Sequence, residues 1–177
     1  KFLEDMYILK VPAEYNFRWA PVVLSKFPIE CYDASLSKYY LNFLRSAIKI
    51  GSQILNIDVF HPHPTKRDSE KVTYLKENVK FREKNYVLAG YFNSLSPKDI
   101  YGAKWKESFK RFLNNSQAKA SINKMLQGEL VKYLLEKNLI DTYKAKNEKF
   151  EFTIPTNFIS KNKSTGIRID YIFTSPN

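Results

Sequence analysis

Three polar side chains fall where apolar, strand-like segments end or pass through the interior. His61 closes the run 53–60, Asn93 lies four residues past the run 86–89, and Asp170 sits inside the run 167–173. An ionised carboxylate within an apolar strand is costly unless it has a partner. An imidazole and a carboxylate converging at the ends of adjacent strands form an orienting pair. In it, Asp170 would fix the tautomer of His61 or hold the ring protonated against charge developing on a phosphoryl group. Asn93 adds a carboxamide that can donate to a phosphate oxygen or keep a water in line. Each residue also has a plainer role open to it: His61 as a strand-edge cap, Asn93 as a turn residue in the left-handed region, Asp170 as the partner of Arg168 or of a loop amide. His63, between Pro62 and Pro64, reads as an exposed loop residue. Coincidence of all three at matching strand ends favours a shared cleft.

The segments that must carry these groups have distinct signatures. Residues 20–24 form a short apolar run stopped near Pro28, and 46–50 and 53–60 are strand-like runs separated by Gly51-Ser52, a two-residue connection that closes a hairpin. The second run ends at Phe60-His61-Pro62-His63-Pro64, where two prolines oppose ladder continuation. Thr65 caps a helix to about residue 84, with Val72, Leu75 and Val79 stepping along one face. A buried strand comes next at 86–89. Ser96-Pro97-Lys98-Asp99 starts a short helix through a cap, a first-turn proline and an early acid. A longer helix is expected over 118–137, with Ile122, Met125, Leu126, Leu130, Val131 and Leu134 inward. Segments 139–143, 150–154 and 167–173 add strands or loops. A hairpin together with helical crossovers implies an α/β or α+β layered domain with a mixed sheet.

Composition narrows the classes. A chain of 177 residues, 44% hydrophobic, with twelve Tyr, thirteen Phe and only five Gly, makes one aromatic-rich core in a single domain over 1–177 and excludes a low-complexity chain. One cysteine, Cys31, excludes an internal disulfide and a multi-thiolate zinc site; it is expected as a small apolar core residue in a reducing, cytoplasmic setting, with no disulfide-linked partner. No stretch approaches the roughly 18 uninterrupted apolar residues of a membrane span, so no membrane partner is expected. The net charge of +11 favours polyanionic partners, nucleic acid first. Residues 104–149 hold eleven Lys and Arg against five Asp and Glu, a concentration that a solvated lysine-rich helix face would also produce. No glycine-rich phosphate loop, nucleophile elbow or dinucleotide fingerprint occurs.

The ordered set of segments resembles the endonuclease/exonuclease/phosphatase superfamily of metal-dependent phosphodiesterases, in particular its prokaryotic branch of uncharacterised hydrolases. The resemblance runs through Ser25-Lys26-Phe27-Pro28-Ile29, Asp58-Val59-Phe60-His61, Gly90-Tyr91-Phe92-Asn93-Ser94, Leu139-Ile140-Asp141-Thr142-Tyr143, Phe152-Thr153-Ile154-Pro155-Thr156 and Arg168-Ile169-Asp170-Tyr171-Ile172-Phe173. It implies a two-layered sandwich of mixed β-sheet flanked by helices, here shortened by the family's first and last strands. It also implies a magnesium ion at one edge, with Asp170 and Asn93 as the matching ligand positions, His61 contacting or protonating the scissile phosphate, and Asn93 orienting it. The family's Gly-Asp-Phe-Asn is Gly90-Tyr91-Phe92-Asn93 here, so Tyr91 stands where an aspartate would activate water. A phenol with an ordinary pKa near 10 is a poor base at neutral pH. The early strand bearing a metal-binding glutamate and the closing Ser-Asp-His have no counterpart in the sequence.

Three readings of function stay open. The first is a phosphodiester hydrolase-like domain acting on nucleic acid, with activity weakened or lost through Tyr91. The second is a non-catalytic relative that binds nucleic acid or protein. The third is a phosphatase acting on small phosphoesters.

Overall fold

The computed structural model describes residues 6–10, 20–35, 41–99, 120, 123–149, 151–153 and 166–176. Strands β1 (Tyr7–Lys10) and β2 (Val22–Ser25) pair antiparallel as a small sheet. A six-stranded sheet is built from β3 (Ile29–Asp33), β4 (Leu41–Ile50), β5 (Gln53–Pro62), β6 (Tyr86–Tyr91), β7 (Ile140–Asp141) and β8 (Asp170–Thr174), in the order β3-β4-β5-β6-β8-β7. Among the described strands, only β5 and β6 run parallel, joined across α1 (Asp68–Asn78); the other pairs are antiparallel. Helices α2 (Glu129–Glu136) and α3 (Thr142–Lys146) flank β7 in sequence.

The two faces of the larger sheet are covered differently. Phe43, Phe60, Leu88, Tyr171 and Phe173 point to the face packed by Leu75 of α1 and Leu130 and Leu134 of α2. Leu44 and Ile48, of opposite parity on β4, meet Leu9 of β1 and Val23 of β2. This is the layered mixed-sheet domain anticipated from the segment pattern and the α/β sandwich that the family resemblance implies, with period-two alternation choosing the face of each side chain.

The Gly51-Ser52 hairpin forms as expected, with Gly51 at φ +60, and both strands are longer than anticipated. Pro62 lies inside β5, opposite Leu41; its position at the strand's last residue makes the missing N–H tolerable. Three expectations need correction. Helix α1 starts after Arg67, whose N–H donates to the Glu70 carboxylate at 2.8 Å, and it ends at Asn78; Thr65 instead hydrogen bonds with His63. The helix expected over 118–137 is not continuous, because Gly128 takes φ +64 against the Leu95 carbonyl and α2 begins only after it; Leu126 is left 46% exposed. Ser96 to Asp99 make one turn, and the helix expected to follow it lies outside the described residues, as do Ile122 and residues 154–165. Cys31 is exposed, since it sits on the edge strand β3, whose central residues face solvent.

Candidate functional site

Strand register brings the site together. On β4 and β5, Asn42 stands opposite His61; on β6 and β8, Tyr91 stands opposite Asp170. Strands β5 and β6 are parallel neighbours, and the rings of His61 and Tyr91 meet edge to face, centroids 5.3 Å apart. His61, Tyr91 and Asp170 therefore form a row across three strand ends on the face that carries β1 and β2 lower down. All three are half-buried. The approach of β6 to β5 depends on Gly90: a Cβ there would lie 2.1 Å from the Phe60 carbonyl oxygen, and its φ of +147 suits glycine.

Burial and the Asp170 carboxylate push the Tyr91 phenol up to about 12. At neutral pH it is a neutral hydroxyl, able to donate to an anion and unable to act as a base. The Asp170 backbone N–H donates to Thr153 Oγ1 at 3.3 Å, so the start of β8 is pinned from outside the sheet.

Asn93 is 1% exposed and sits at φ +49, the left-handed conformation that asparagine tolerates. Its Nδ2 donates to the Pro62 carbonyl at 2.8 Å, tying the loop after β6 to the end of β5 next to His61. The loop itself is held by a group that sequence reasoning missed. Lys71, 0% exposed, donates from Nζ to the carbonyls of Phe92 (3.2 Å) and Asn93 (2.6 Å) and to Asp68 Oδ1 (2.9 Å). Asp68 Oδ2 accepts from the Ser94 hydroxyl and the Leu130 N–H. Desolvation lowers the Lys71 pKa, with Asp68 acting in the opposite direction. The signal in the sequence was Asp68 and Lys71 three residues apart on α1, a spacing that faces the two together.

A second buried network supports β8. Arg168 donates through Nε and Nη2 to Asp99 and through Nη1 and Nη2 to Asp141, with distances from 2.6 to 3.0 Å. Its guanidinium lies 4.4 Å above the Tyr171 ring. Two bidentate carboxylates on one buried guanidinium fix its plane. The Arg168 partners are Asp99 and Asp141, while Asp170 faces Tyr91.

Among the described residues, no group of three or more His, Cys, Asp and Glu side chains converges as a metal site. Of the two implied ligands, Asp170 offers one carboxylate and Asn93 turns its carboxamide to Pro62. Magnesium takes oxygen ligands in near-octahedral geometry, and this donor pair does not fit it.

No protein-family model and no curated protein matches the chain. Solved structures do. The endonuclease domain of TRAS1, a telomere-specific non-LTR retrotransposon, superposes with a TM-score of 0.58 at 15% identity, covering 98% of this chain and 68% of that one. An endonuclease/exonuclease/phosphatase family protein from Leptotrichia buccalis C-1013-b superposes with a TM-score of 0.50 at 14% identity, covering 95% of this chain and 58% of that one. At such identities the likeness is one of fold: the chain has the endonuclease/exonuclease/phosphatase fold and spans 58 to 68% of the length of these two structures. Among the described residues, no helix is long and apolar enough to cross a membrane.

Proposed function

We propose that the chain binds nucleic acid by seating a backbone phosphate at His61 and Tyr91, with Asp170 holding the phenol protonated, and that phosphodiester cleavage is weakened or lost because Tyr91 takes the place of a water-activating carboxylate. The observation that carries this reading is the row itself: Tyr91 is in ring contact with His61 and opposite Asp170 in register. A neutral phenol held protonated up to about pH 12 supplies a hydrogen bond to a phosphate oxygen but no proton abstraction. His61 lies beside it as a second polar contact, and Asp170 acts on Tyr91 by keeping its proton on.

The +11 charge supplies the non-specific attraction that a phosphate-binding surface needs, through release of counterions from the polyanion. The TRAS1 structure is an endonuclease domain, so the fold accommodates work on nucleic acid. Replacing a positioned base costs roughly 10² to 10⁴ in rate, enough to leave binding as the principal activity.

The test pairs binding with cleavage. Labelled single- and double-stranded DNA and RNA are incubated with the protein and with Tyr91→Asp, with magnesium supplied. Retention that weakens steeply with salt, accompanied by little or no cleavage by the wild-type chain, is expected. A flat salt response overturns the nucleic-acid reading, and turnover of small phosphoesters without nucleic-acid affinity would replace it.

A further inference from the structure

A cleft of about 710 Å³ opens beside Tyr91 and Asp170, between the exposed face of β6 and β8 and the segment running from α3 to Thr153. Its size falls in the range of sites that take a small organic group. Ala89 and Ile172, cross-strand partners, form an apolar floor; Ile172 is 54% exposed although it lies in the middle of a strand. Tyr91, Tyr143 and Phe152 contribute aromatic walls, and Lys146 and Glu151 stand with opposite charges at the exposed rim. Tyr143 is braced: the buried Arg168 guanidinium lies 5.3 Å from its ring centre, and its hydroxyl donates to the Lys149 carbonyl at 2.9 Å.

We infer that this cleft is a subsite for one unpaired nucleobase of the strand whose phosphate sits at His61 and Tyr91. The inference rests on the nucleic-acid reading above and adds what the strand must present there. Two features of the cleft match a base. The aromatic walls and flat apolar floor suit a planar π-face, and stacking of this kind tolerates any base. Tyr91 belongs to both the phosphate row and the cleft wall, so the base entering the cleft belongs to a nucleotide at or next to that phosphate. A paired base is held within its duplex stack, so the preferred strand is single or locally opened.

The experiment compares a short single strand carrying a fluorescent adenine analogue, the same strand with an abasic position in place of the analogue, the fully paired duplex, and the free nucleoside monophosphate. The wild-type protein should bind the intact strand about fivefold or more tighter than the abasic one, with the analogue's fluorescence changing on binding. Phe152→Ala, and independently Ala89→Leu, which fills the floor, should each bring that ratio to within about twofold while leaving abasic-strand binding unchanged. Thermal unfolding checks that both variants are folded. Equal binding of intact and abasic strands by the wild type overturns the subsite alone. Binding of neither strand overturns both this inference and the nucleic-acid reading. Tight binding of the free nucleoside monophosphate, with no gain from the strand, overturns the placement of the base on a nucleic-acid chain.

Discussion

Lys71 donates its ammonium to the Asn93 carbonyl at 2.6 Å, with both residues essentially withdrawn from solvent. The loop that returns Asn93 to Pro62, beside His61, is thus supported from beneath by a buried cation whose own counter-charge is Asp68. Breaking such a pair leaves an uncompensated charge. Lys71→Met should cost roughly 3–5 kcal/mol of folding stability by denaturant unfolding. Adding Asp68→Asn should recover part of it, and a loss below about 1 kcal/mol for Lys71→Met would contradict the pairing.

Gly90 makes a different kind of contribution, through the atom it lacks. Gly90→Ala sets a Cβ 2.1 Å from the Phe60 carbonyl oxygen at a φ of +147, so β5 and β6 must part where His61 and Tyr91 touch. A loss of about 2 kcal/mol or more in stability is expected, together with weaker strand binding. Thermal unfolding and a binding titration measure both, and a neutral substitution would mean that the strands do not approach as described.

The Tyr91 phenol gives a pH signature. Its folded pKa, about 12, lies above the ordinary value of 10, so the folded state holds this proton more tightly than the unfolded chain does. The resulting stability is fully present below about pH 10 and is lost as pH rises through about 12. A tyrosinate absorbance titration of the wild type minus that of Tyr91→Phe should isolate one ionisation near pH 12. A component near pH 10 would show that the Asp170 side of Tyr91 is open to water.

Tyr91→Asp sets two carboxylates opposite one another in the β6–β8 register, at a cross-strand Cβ separation of about 4.5–5.5 Å. Such a pair repels and gains a reason to hold a hard cation. Millimolar magnesium should raise the unfolding temperature of Tyr91→Asp by a few degrees and leave the wild type within about one degree. An equal response of the two proteins would place the cation elsewhere.

The strands that frame the site were legible because each carries a local rule. The Gly51-Ser52 turn set the β4–β5 hairpin, and the apolar run 167–173 marked β8, although the strand begins at Asp170 where the run had placed that residue inside it. The register that aligns Tyr91 with Asp170 came from no single segment, since it depends on how far β6 and β8 slide past one another. Cys31 was misread because burial on an edge strand depends on whether another layer covers it. Gly128 broke an otherwise good helical pattern because the loop at Leu95 approaches its backbone. The partners of Arg168, Asp99 and Asp141, lie 69 and 27 residues away in the chain, beyond any periodic signal.

The proposed strand binding would depend above all on a phosphate contacting Tyr91 and His61, and the most direct measurement is single-strand affinity across a salt series for the wild type, Tyr91→Phe and His61→Ala. Each substitution should weaken binding by about threefold to tenfold at fixed salt, as expected for loss of one hydrogen bond to a charged group, with thermal unfolding little changed. Unchanged affinity and unchanged salt slope in both variants would contradict a phosphate seat at these residues.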